Sequence, residues 1–430
     1  MRILNIPRRL RRGIFHFPLR HFPSTRLIAT QTKRRTAMAN TTNLETVALH
    51  AGAAPDPTTG ALLTPIYQTT TYTQEAVGVD KGYTYSRAGN PTVTALELRL
   101  AALEGADFAT CYSTGLAATT ALFLGLLKGG DRVVVSEAVY GGTVRLLREV
   151  LAPFGVAVDF VDTSDETAFA NALSGSPVKL VFIESPANPT LKLTDIALAA
   201  RLSHDANALL VVDNTLLTPA LQRPLDLGAD IVLHSTTKFI EGHNATTGGV
   251  LITRDSALNE RFDYIRKATG TIQSPFDAWL TLQGVKTLPL RMRQHSENAL
   301  RVAQFLATHP KIEKVSYPGL ESFPQYQLTQ KQQSTGGALI AFEVAGGTQA
   351  GIDLMNSVKL CALAENLGAA ETIITHPASM THSAVPLEQR VSAGITDGLV
   401  RLSVGLENPD DLIADLEQAL GSNAALAHQA

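Results

Sequence analysis

Cysteine is scarce in this 430-residue sequence, in which Cys111 and Cys361 lie 250 positions apart. Neither has a CxxC partner or a nearby Cys/His cluster, which argues against a disulfide framework and against a zinc site. The apolar runs are also shorter than the roughly 20 residues that a membrane-spanning helix requires. These absences exclude a disulfide-rich secreted protein and a membrane-spanning one. We expect a cytoplasmic protein with no membrane partner.

Phosphate-binding loops of the GxGxxG or GxxxxGK[ST] type are missing after the first predicted strand. An enzyme that binds nucleotides on a parallel sheet would carry one of these loops. The segment that follows this strand, STGLAA at residues 113–118, matches neither pattern. A nucleotide-binding enzyme is therefore disfavoured.

Acidic residues are missing from the first 40 positions, which hold ten of the 36 Lys and Arg residues. The other 390 residues carry a net charge of −13. This charge disfavours nucleic acid as a partner, because phosphate binding depends on clustered Lys and Arg. We expect residues 1–40, a basic extension, to lie outside the fold, with translation starting at Met38. An organelle-targeting peptide, which is also arginine-rich and poor in acids, is the alternative.

The sequence is rich in apolar, β-branched runs that alternate with helical patterns. This alternation predicts an α/β fold with a mostly parallel sheet covered by helices on both faces. We expect a large domain over residues 101–300 and a smaller α/β domain over residues 301–430, in which Asn408 caps a helix starting at Pro409. The predicted strands of the large domain begin near Ala109, Arg132, Val156, Lys179, Ala208 and Asp230.

Polar residues follow several of these strands directly. Asp213 follows ALLVV, Lys238 lies just after DIVL, and Ser113-Thr114-Gly115 opens a helix. Ligands of parallel sheets bind beyond the carboxyl ends of the strands, and backbone N–H groups at a helix start bind anions. Pyridoxal phosphate needs a carboxylate for its ring nitrogen, a lysine for its aldehyde carbon and donors for its phosphate. The sequence therefore predicts a pyridoxal phosphate site.

Nine short motifs occur in one order along the chain: TPIYQTTTY, YSRAGNPT, STGLAA, VYGGT, ESPANPT, VVDNT, HSTTKFIEGH, HPASMTH and RLSVGLE. Over residues 45–420 the ordered set resembles the pyridoxal-phosphate-dependent enzymes of Cys/Met metabolism, the trans-sulfuration family. The resemblance implies the aspartate-aminotransferase fold (fold type I), pyridoxal 5′-phosphate as cofactor, small amino-acid substrates and a homotetramer built from dimers. It also implies that residues 41–100 form an arm that contributes to a neighbouring subunit.

The resemblance gives individual residues roles. Lys238 resembles the lysine that binds the cofactor covalently, Asp213 the aspartate at the ring nitrogen, and Tyr140 the tyrosine that stacks on the ring and assists proton transfer. Asn188 matches a residue at the ring hydroxyl, and Arg401 the arginine that binds the substrate's α-carboxylate. The residues expected at the phosphate are Ser235, Thr237, the backbone of Gly115 and Leu116, and Tyr85 and Arg87 of a neighbouring subunit.

Some residues point to cystathionine as the substrate within this family. Arg145, five positions after Tyr140, matches an arginine for a distal carboxylate in relatives that act on cystathionine. Glu365 matches a substrate-site glutamate typical of the γ-synthase and γ-lyase branch. Gly142 stands where methionine γ-lyases carry a cysteine. We therefore favour γ-replacement or γ-elimination on homoserine esters or cystathionine.

Other residues keep alternatives open. Ala88 replaces an arginine of some γ-synthases, and Asn366, expected in the substrate site, resembles the sulfhydrylases. The stretches YPGLESFPQY and HPASMTHS resemble methionine γ-lyase. The alternatives are thus methionine γ-lyase, O-acylhomoserine sulfhydrylase and, in another class, a non-catalytic protein that keeps the pyridoxal phosphate fold.

Overall fold

The computed structural model describes residues 43–380 and 394–426, together with Glu388 and Arg390. The predicted N-terminal extension, residues 1–40, lies outside this part of the chain, as do the last two residues of the HPASMTH motif. No helix in the described ranges is long and apolar enough to cross a membrane. The same ranges contain no cluster of His, Cys, Asp or Glu residues suited to a metal ion.

Seven strands form the sheet of the large domain: β1 (Phe108–Tyr112), β2 (Arg132–Ser136), β3 (Ala157–Val161), β4 (Leu180–Glu184), β5 (Leu209–Asp213), β6 (Ile231–His234) and β7 (Gly249–Thr253). Their order across the sheet is β1-β7-β6-β5-β4-β2-β3. The strands from β6 to β3 in this order pair in parallel, and only β7 pairs antiparallel, with β6 and β1. The prediction of a mostly parallel sheet is confirmed, although it did not include β7.

The central strands are buried on both faces. All five residues of β4 are buried. Val181 and Ile183 pack into the core on one face, while Leu180 and Phe182 pack into the core on the other, because successive strand residues point to opposite sides. Each such side chain contributes roughly 1.5–3 kcal/mol by leaving water. This two-sided burial explains why the strand reads as a continuous apolar run.

Helices cover the two faces of this sheet: α1 (Leu44–His50), α2 (Pro91–Leu103), α3 (Gly115–Leu126), α4 (Gly141–Arg145), α5 (Glu166–Leu173), α6 (Ile196–Asp205), α7 (Thr218–Leu221), α8 (Ser256–Thr269) and α9 (Pro275–Val285). The helix that begins at Gly141 is interrupted. It is α-helical only to Arg145, continues as a π-helix over Leu146–Leu151 and ends in a 3-10 turn at Ala152–Phe154.

One 21-residue helix, α10 (Leu288–Thr308), carries the chain out of the large domain. Leu288 and Met292 pack in a core of the large domain, whereas Val302 and Leu306 pack in a separate C-terminal core. The expected domain boundary between residues 300 and 301 thus falls inside a continuous helix.

The C-terminal core lies against a second sheet of five strands: β8 (Ile312–Ser316), β9 (Leu339–Val344), β10 (Ala362–Leu363), β11 (Ile373–Thr375) and β12 (Leu399–Ser403). The strand order is β10-β11-β12-β9-β8, and the accompanying helices are α11 (Tyr326–Gln332), α12 (Gly347–Ser357) and α13 (Pro409–Leu426). Asn408 Oδ1 accepts the Asp410 N–H at 2.9 Å, which confirms the predicted N-cap of α13.

Candidate active site

Lys238 lies four residues beyond the end of β6. Its Nζ donates a 2.5 Å hydrogen bond to Asn366 Oδ1, and its carbonyl accepts the Gly242 N–H at 2.8 Å. Burial, and secondarily the charge of Arg401, lowers the pKa of Lys238 from 10.5 to about 8. The amine can therefore release its proton near neutral pH, which an exposed lysine does not do.

Asp213 is the last residue of β5, the strand beside β6. Its Oδ1 accepts hydrogen bonds from Thr215 N at 3.0 Å and Thr215 Oγ1 at 2.5 Å, while Oδ2 has no hydrogen-bond partner among the described residues. Burial raises the pKa of Asp213, and the bonds from Thr215 oppose that rise. A cation beside Oδ2 would stabilise the ionised carboxylate, so the position suits a protonated ring nitrogen.

The start of α3 meets the turn after β6 at Gly115. A Cβ added to Gly115 would lie 2.8 Å from Ser235 Cβ and 2.9 Å from Ser235 Oγ, so glycine is required for this approach. Thr237 Oγ1 lies in the same turn and accepts the Gly248 N–H at 3.0 Å. The backbone of Leu116 belongs to the first turn of α3. Hydroxyls beside the start of a 12-residue helix form a site for a phosphate group.

Glu184 links two of the predicted residues and was missed in the sequence analysis. It ends β4, and its Oε2 accepts Tyr140 N at 2.7 Å while its Oε1 accepts Asn188 N at 2.8 Å. Burial, followed by the neighbouring charge of Asp213, raises the pKa of Glu184 to about 8. An available signal was the acidic residue that ends the apolar run LVFIE in a strand buried along its whole length.

Arg401 reaches the site from β12 of the second sheet and is 4% exposed. Its Nη1 donates to Asn188 Oδ1 at 2.9 Å, and its Nη2 donates to the Asn366 carbonyl at 2.7 Å and to Thr375 Oγ1 at 3.2 Å. Burial lowers the pKa of Arg401 to about 10. Because Asn366 also accepts from Lys238, these hydrogen bonds join the amine, the guanidinium and Asn188 into one group.

The loop that carries Asn366 packs directly on the backbone of Lys238. Gly368 has a φ of +79°, and a Cβ there would lie 2.6 Å from Phe239 N and 3.1 Å from Lys238 Cα. Only glycine combines this conformation with this close approach. Asn366 Nδ2 donates to Asn244 Oδ1 at 2.7 Å, a second contact that the sequence analysis did not anticipate.

A fully buried contact between a histidine and a glutamate lies next to the turn after β6. His234 Nε2 and Glu104 Oε1 are 2.7 Å apart, and both side chains are 0% exposed. His234 ends β6, and its charge acts to lower the pKa of Asp213. Neither residue was given a role on the basis of the sequence. The two positions are 130 residues apart, so no local pattern indicated the contact.

Tyr85 and Arg87 lie next to each other. The Arg87 guanidinium carbon is 5.4 Å from the centroid of the Tyr85 ring, and Arg87 Nη1 donates to the Lys267 carbonyl at 2.8 Å. Both residues line a separate cavity of about 280 Å³. In the described part of the chain neither side chain is hydrogen-bonded to Lys238 or Ser235.

Arg145 and Glu365 are both exposed. Arg145 is exposed at the end of α4, the short helix that Tyr140 precedes, and it has no ion-pair partner among the described residues. Tyr140 itself is 51% exposed. Glu365 is exposed next to Asn366, and its charge partly offsets the lowering of the pKa of Arg401.

The residues at the strand ends fit pyridoxal phosphate. Lys238 supplies an amine of lowered pKa, and the carboxylate of Asp213 has one oxygen without a partner in the described chain. Because Gly115 has no side chain, the start of α3 lies directly against Ser235. A side chain at position 115 would fill the space beside the start of this helix. These groups match the cofactor's aldehyde carbon, ring nitrogen and phosphate.

Comparisons with known proteins agree with this chemistry. The profile of a family described as Cys/Met metabolism PLP-dependent enzyme matches residues 45–421. An L-methionine γ-lyase of Fusobacterium nucleatum subsp. polymorphum is 46% identical over 387 residues, which cover 88% of this chain and 98% of that protein. A cystathionine γ-synthase of Mycobacterium tuberculosis is 45% identical over 377 residues, which cover 87% and 96%.

A solved structure shows the same architecture. The crystal structure of cystathionine γ-synthase from Xanthomonas oryzae pv. oryzae matches with a TM-score of 0.87 and 41% identity, covering 89% of this chain and 99% of that one. The present chain belongs to the Cys/Met metabolism family of pyridoxal-phosphate-dependent enzymes. It is therefore a pyridoxal phosphate enzyme that acts on small amino-acid substrates, and the predictions of family, fold class and cofactor are confirmed.

Proposed function

We propose that this enzyme acts at the γ-carbon of amino acids whose γ-substituent carries a second carboxylate, by elimination or by replacement with a thiol. Cystathionine and O-succinylhomoserine are substrates of this kind. The proposal agrees with the cystathionine γ-synthase of Mycobacterium tuberculosis and the cystathionine γ-lyase of Bacillus subtilis among the relatives, at 45% and 43% identity.

The observation that carries this proposal is the exposed guanidinium of Arg145, which has no ion-pair partner among the described residues. A surface role would pair it with Glu149 at i+4, as on a regular helix. The α-helix ends at Arg145 and the next six residues are π-helical. Residues four positions apart, such as Arg145 and Glu149, therefore no longer lie directly above each other on one face of the helix. No such pair forms among the described residues, which leaves Arg145 available near Tyr140 for a distal carboxylate.

The proposed roles of the inner residues follow from their contacts. Pyridoxal phosphate, when bound, supplies an electron sink for the substrate's α-carbon. Lys238 Nζ would bind the cofactor and then take and return protons at the substrate's Cα and Cβ, which its pKa of about 8 favours near neutral pH. Arg401 would bind the α-carboxylate through its bidentate guanidinium.

The remaining roles concern the cofactor's orientation. Asp213 would keep the ring nitrogen protonated, Tyr140 would stack on the ring, and Asn188 would contact the ring hydroxyl. The phosphate would be held by Ser235, Thr237, and the backbone of Gly115 and Leu116. Asn366 and Glu365 would line the substrate side, where Asn366 already contacts both Lys238 and Arg401.

We also propose a homotetramer built from dimers. Residues 41–100 form the arm in this proposal, residues 101–300 the cofactor-binding domain and residues 301–430 the small domain. The arm exposes large apolar side chains, with Leu62 at 84% and Val77 at 102% exposure, which favours an oligomer that covers them. Tyr85 and Arg87 would then reach the phosphate of a neighbouring subunit.

A substrate panel with Arg145→Ala tests the substrate class. Substrates with a distal carboxylate, cystathionine and O-succinylhomoserine, would lose a charge-assisted hydrogen bond of about 1.5–3 kcal/mol, and kcat/KM should fall about ten- to a hundredfold. Methionine and O-acetylhomoserine lack that group, so their kcat/KM should hardly change. Arg148→Ala is a matched control, because Arg148 stacks on Phe160 at 4.7 Å, and it should affect neither pair.

Methionine γ-lyase activity is the second candidate, because a methionine γ-lyase is 46% identical to this chain. Gly142 counts against it. A Cβ at this position would lie 2.3 Å from Tyr140 Cε1, so a cysteine there would require the Tyr140 ring to move. Equal losses for methionine and cystathionine in Arg145→Ala, or none for either, would refute the distal-carboxylate proposal. Efficient turnover of methionine alone would support the lyase.

A further inference from the structure

Glu184 is a buried carboxylate without a cationic partner among the described residues. It is 5% exposed and, in the register of β4 and β5, sits opposite Asp213. Two adjacent acids at the end of a buried sheet repel each other, and burial adds to that cost. A neutral side chain would avoid both effects. The contacts of Glu184 therefore need an explanation beyond packing.

These contacts are two backbone N–H groups from different parts of the sheet edge. Tyr140 N belongs to the loop after β2, and Asn188 N belongs to the loop after β4 itself. The two donors lie on opposite oxygens of the same group, at 2.7 and 2.8 Å. The ionised carboxylate offers an acceptor oxygen to each donor, and these two bonds oppose the rise in pKa that burial and Asp213 cause, whereas an amide has one oxygen and one NH₂ donor.

Each of the two loops carries a side chain whose orientation burial does not determine, Tyr140 in the first loop and Asn188 in the second. The Tyr140 ring is 51% exposed, so packing does not determine its orientation. The Asn188 side chain accepts a 2.9 Å hydrogen bond from Arg401. Glu184 thus holds the backbone of Tyr140, which carries the ring, and the backbone of Asn188, whose side chain contacts the guanidinium of Arg401.

We propose that Glu184 is a positioning residue that fixes Tyr140 and Asn188 relative to each other and, through Asn188, the guanidinium of Arg401. This inference rests on the roles proposed above for these three residues. It adds that their geometry depends on one carboxylate that contacts neither substrate nor cofactor. Loss of the carboxylate should disturb both the ring, through Tyr140, and the substrate carboxylate, through Asn188 and Arg401.

Glu184→Gln replaces one acceptor oxygen with a donor at nearly constant volume. Asp415→Asn is the matched control, because Asp415 is also buried, at 6% exposure, and its carboxylate accepts the N–H groups of Lys359, Leu360 and Cys361 in the small domain. Both variants should unfold at a lower temperature than the parent. Only Glu184→Gln should raise KM for the amino-acid substrate and lower kcat/KM about ten- to a hundredfold.

Circular dichroism of the bound cofactor gives a readout that needs no substrate. Its visible band should change in Glu184→Gln, because the ring of Tyr140 shifts against the cofactor, and stay as in the parent in Asp415→Asn. This measurement holds whichever reaction the enzyme runs, so it separates a failure of this inference from a failure of the proposed substrate class.

Parental kinetics and dichroism in Glu184→Gln would overturn the inference, as would a loss of thermal stability alone like that of Asp415→Asn. If Glu184→Gln does not fold, Glu184→Asp provides the test. It keeps both carboxylate oxygens but moves them away from Tyr140 N and Asn188 N by the length of one methylene group. A raised KM with altered dichroism in that variant supports the inference, and parental values refute it.

Discussion

The amine of Lys238 combines burial with a neutral hydrogen-bond partner. No carboxylate of the described residues pairs with it; its 2.5 Å contact is the amide oxygen of Asn366, and the nearby charge is the cation Arg401. Both burial and a like charge favour the unprotonated amine. Arg401, the residue proposed to bind the substrate's α-carboxylate, thus also lowers the pKa of the amine.

Replacing Lys238 should abolish covalent cofactor attachment. In Lys238→Ala, borohydride reduction followed by mass spectrometry should find no cofactor-modified peptide, and kcat should fall by about 10²- to 10⁴-fold or more, the usual contribution of a general base. Lys286→Ala is the control, because burial also lowers the pKa of Lys286 although it bonds only to Gln283. Turnover near the parental rate in Lys238→Ala would contradict the proposed role.

Asn366→Asp should move the pH dependence of kcat. An ionised carboxylate in place of the amide favours the charged ammonium, so the pKa of Lys238 rises above about 8. The free amine then forms only at higher pH, and the acid limb of kcat should shift upward by about 1–3 pH units. Asn366→Ala removes the bond without adding charge and should shift that limb, if at all, downward. An unmoved limb in Asn366→Asp would show that the amine does not limit kcat.

At the scale of elements, the loop of residues 365–368 determines how close the small domain comes to Lys238. Gly368 allows this loop to pass against Phe239 N. The loop then delivers Asn366 to the amine and its carbonyl to Arg401. A short connection between two small strands therefore adds Asn366 to a site that is formed by residues of the large sheet and by Arg401 of β12.

Gly368→Ala should impair catalysis more than stability alone explains. The φ of +79° costs a side chain about 1–2 kcal/mol, and the 2.6 Å contact with Phe239 N forces the loop away from Lys238. Gly130→Ala has a similar φ of +91° but no atom within 4 Å of the added Cβ. Thermal unfolding should show a loss in both, while kcat should fall only in Gly368→Ala. Similar kinetics in the two variants would argue against a loop that positions Asn366.

At the scale of the whole molecule, Tyr85 and Arg87 are two predicted phosphate residues whose side chains are hydrogen-bonded to neither Lys238 nor Ser235 in the described part of the chain. Their position on an arm with exposed apolar side chains agrees with a site completed by a second copy. In a symmetric dimer each arm would complete the other subunit's site.

Complementation between two inactive variants tests this arrangement. Arg87→Ala and Lys238→Ala should each be impaired alone, yet a hybrid dimer contains one site with both changes and one with neither. Unfolding and refolding an equal mixture should restore about a quarter of the parental activity, since half the dimers are hybrids by random pairing. A mixture of Lys286→Ala with Lys238→Ala provides the control for refolding yield. No recovery in the mixture would place Arg87 in its own subunit's site or outside any site.

The sequence by itself determined six of the seven strands of the large sheet and several of the polar residues at their ends, although not Glu184. Asp213 and Lys238 were predictable because a buried parallel strand is a continuous apolar run, and the first polar residues beyond it must lie at the carboxyl edge of the sheet. The ordered motifs then indicated the family and the cofactor. Arg401 was found through its motif, since its own strand gave no sign of the partner it meets.

Tertiary structure decided the contacts between distant segments. Arg401 meets Asn188 across 213 positions and Lys238 meets Asn366 across 128, and both contacts depend on how the small domain packs on the large one. Glu184 holds Tyr140 only because β4 lies beside β2 in the sheet. Local periodicity specifies which residues are buried along an element but not which element lies next to it. For that physical reason the cofactor site was predictable from the sequence, while the network that positions its residues was not.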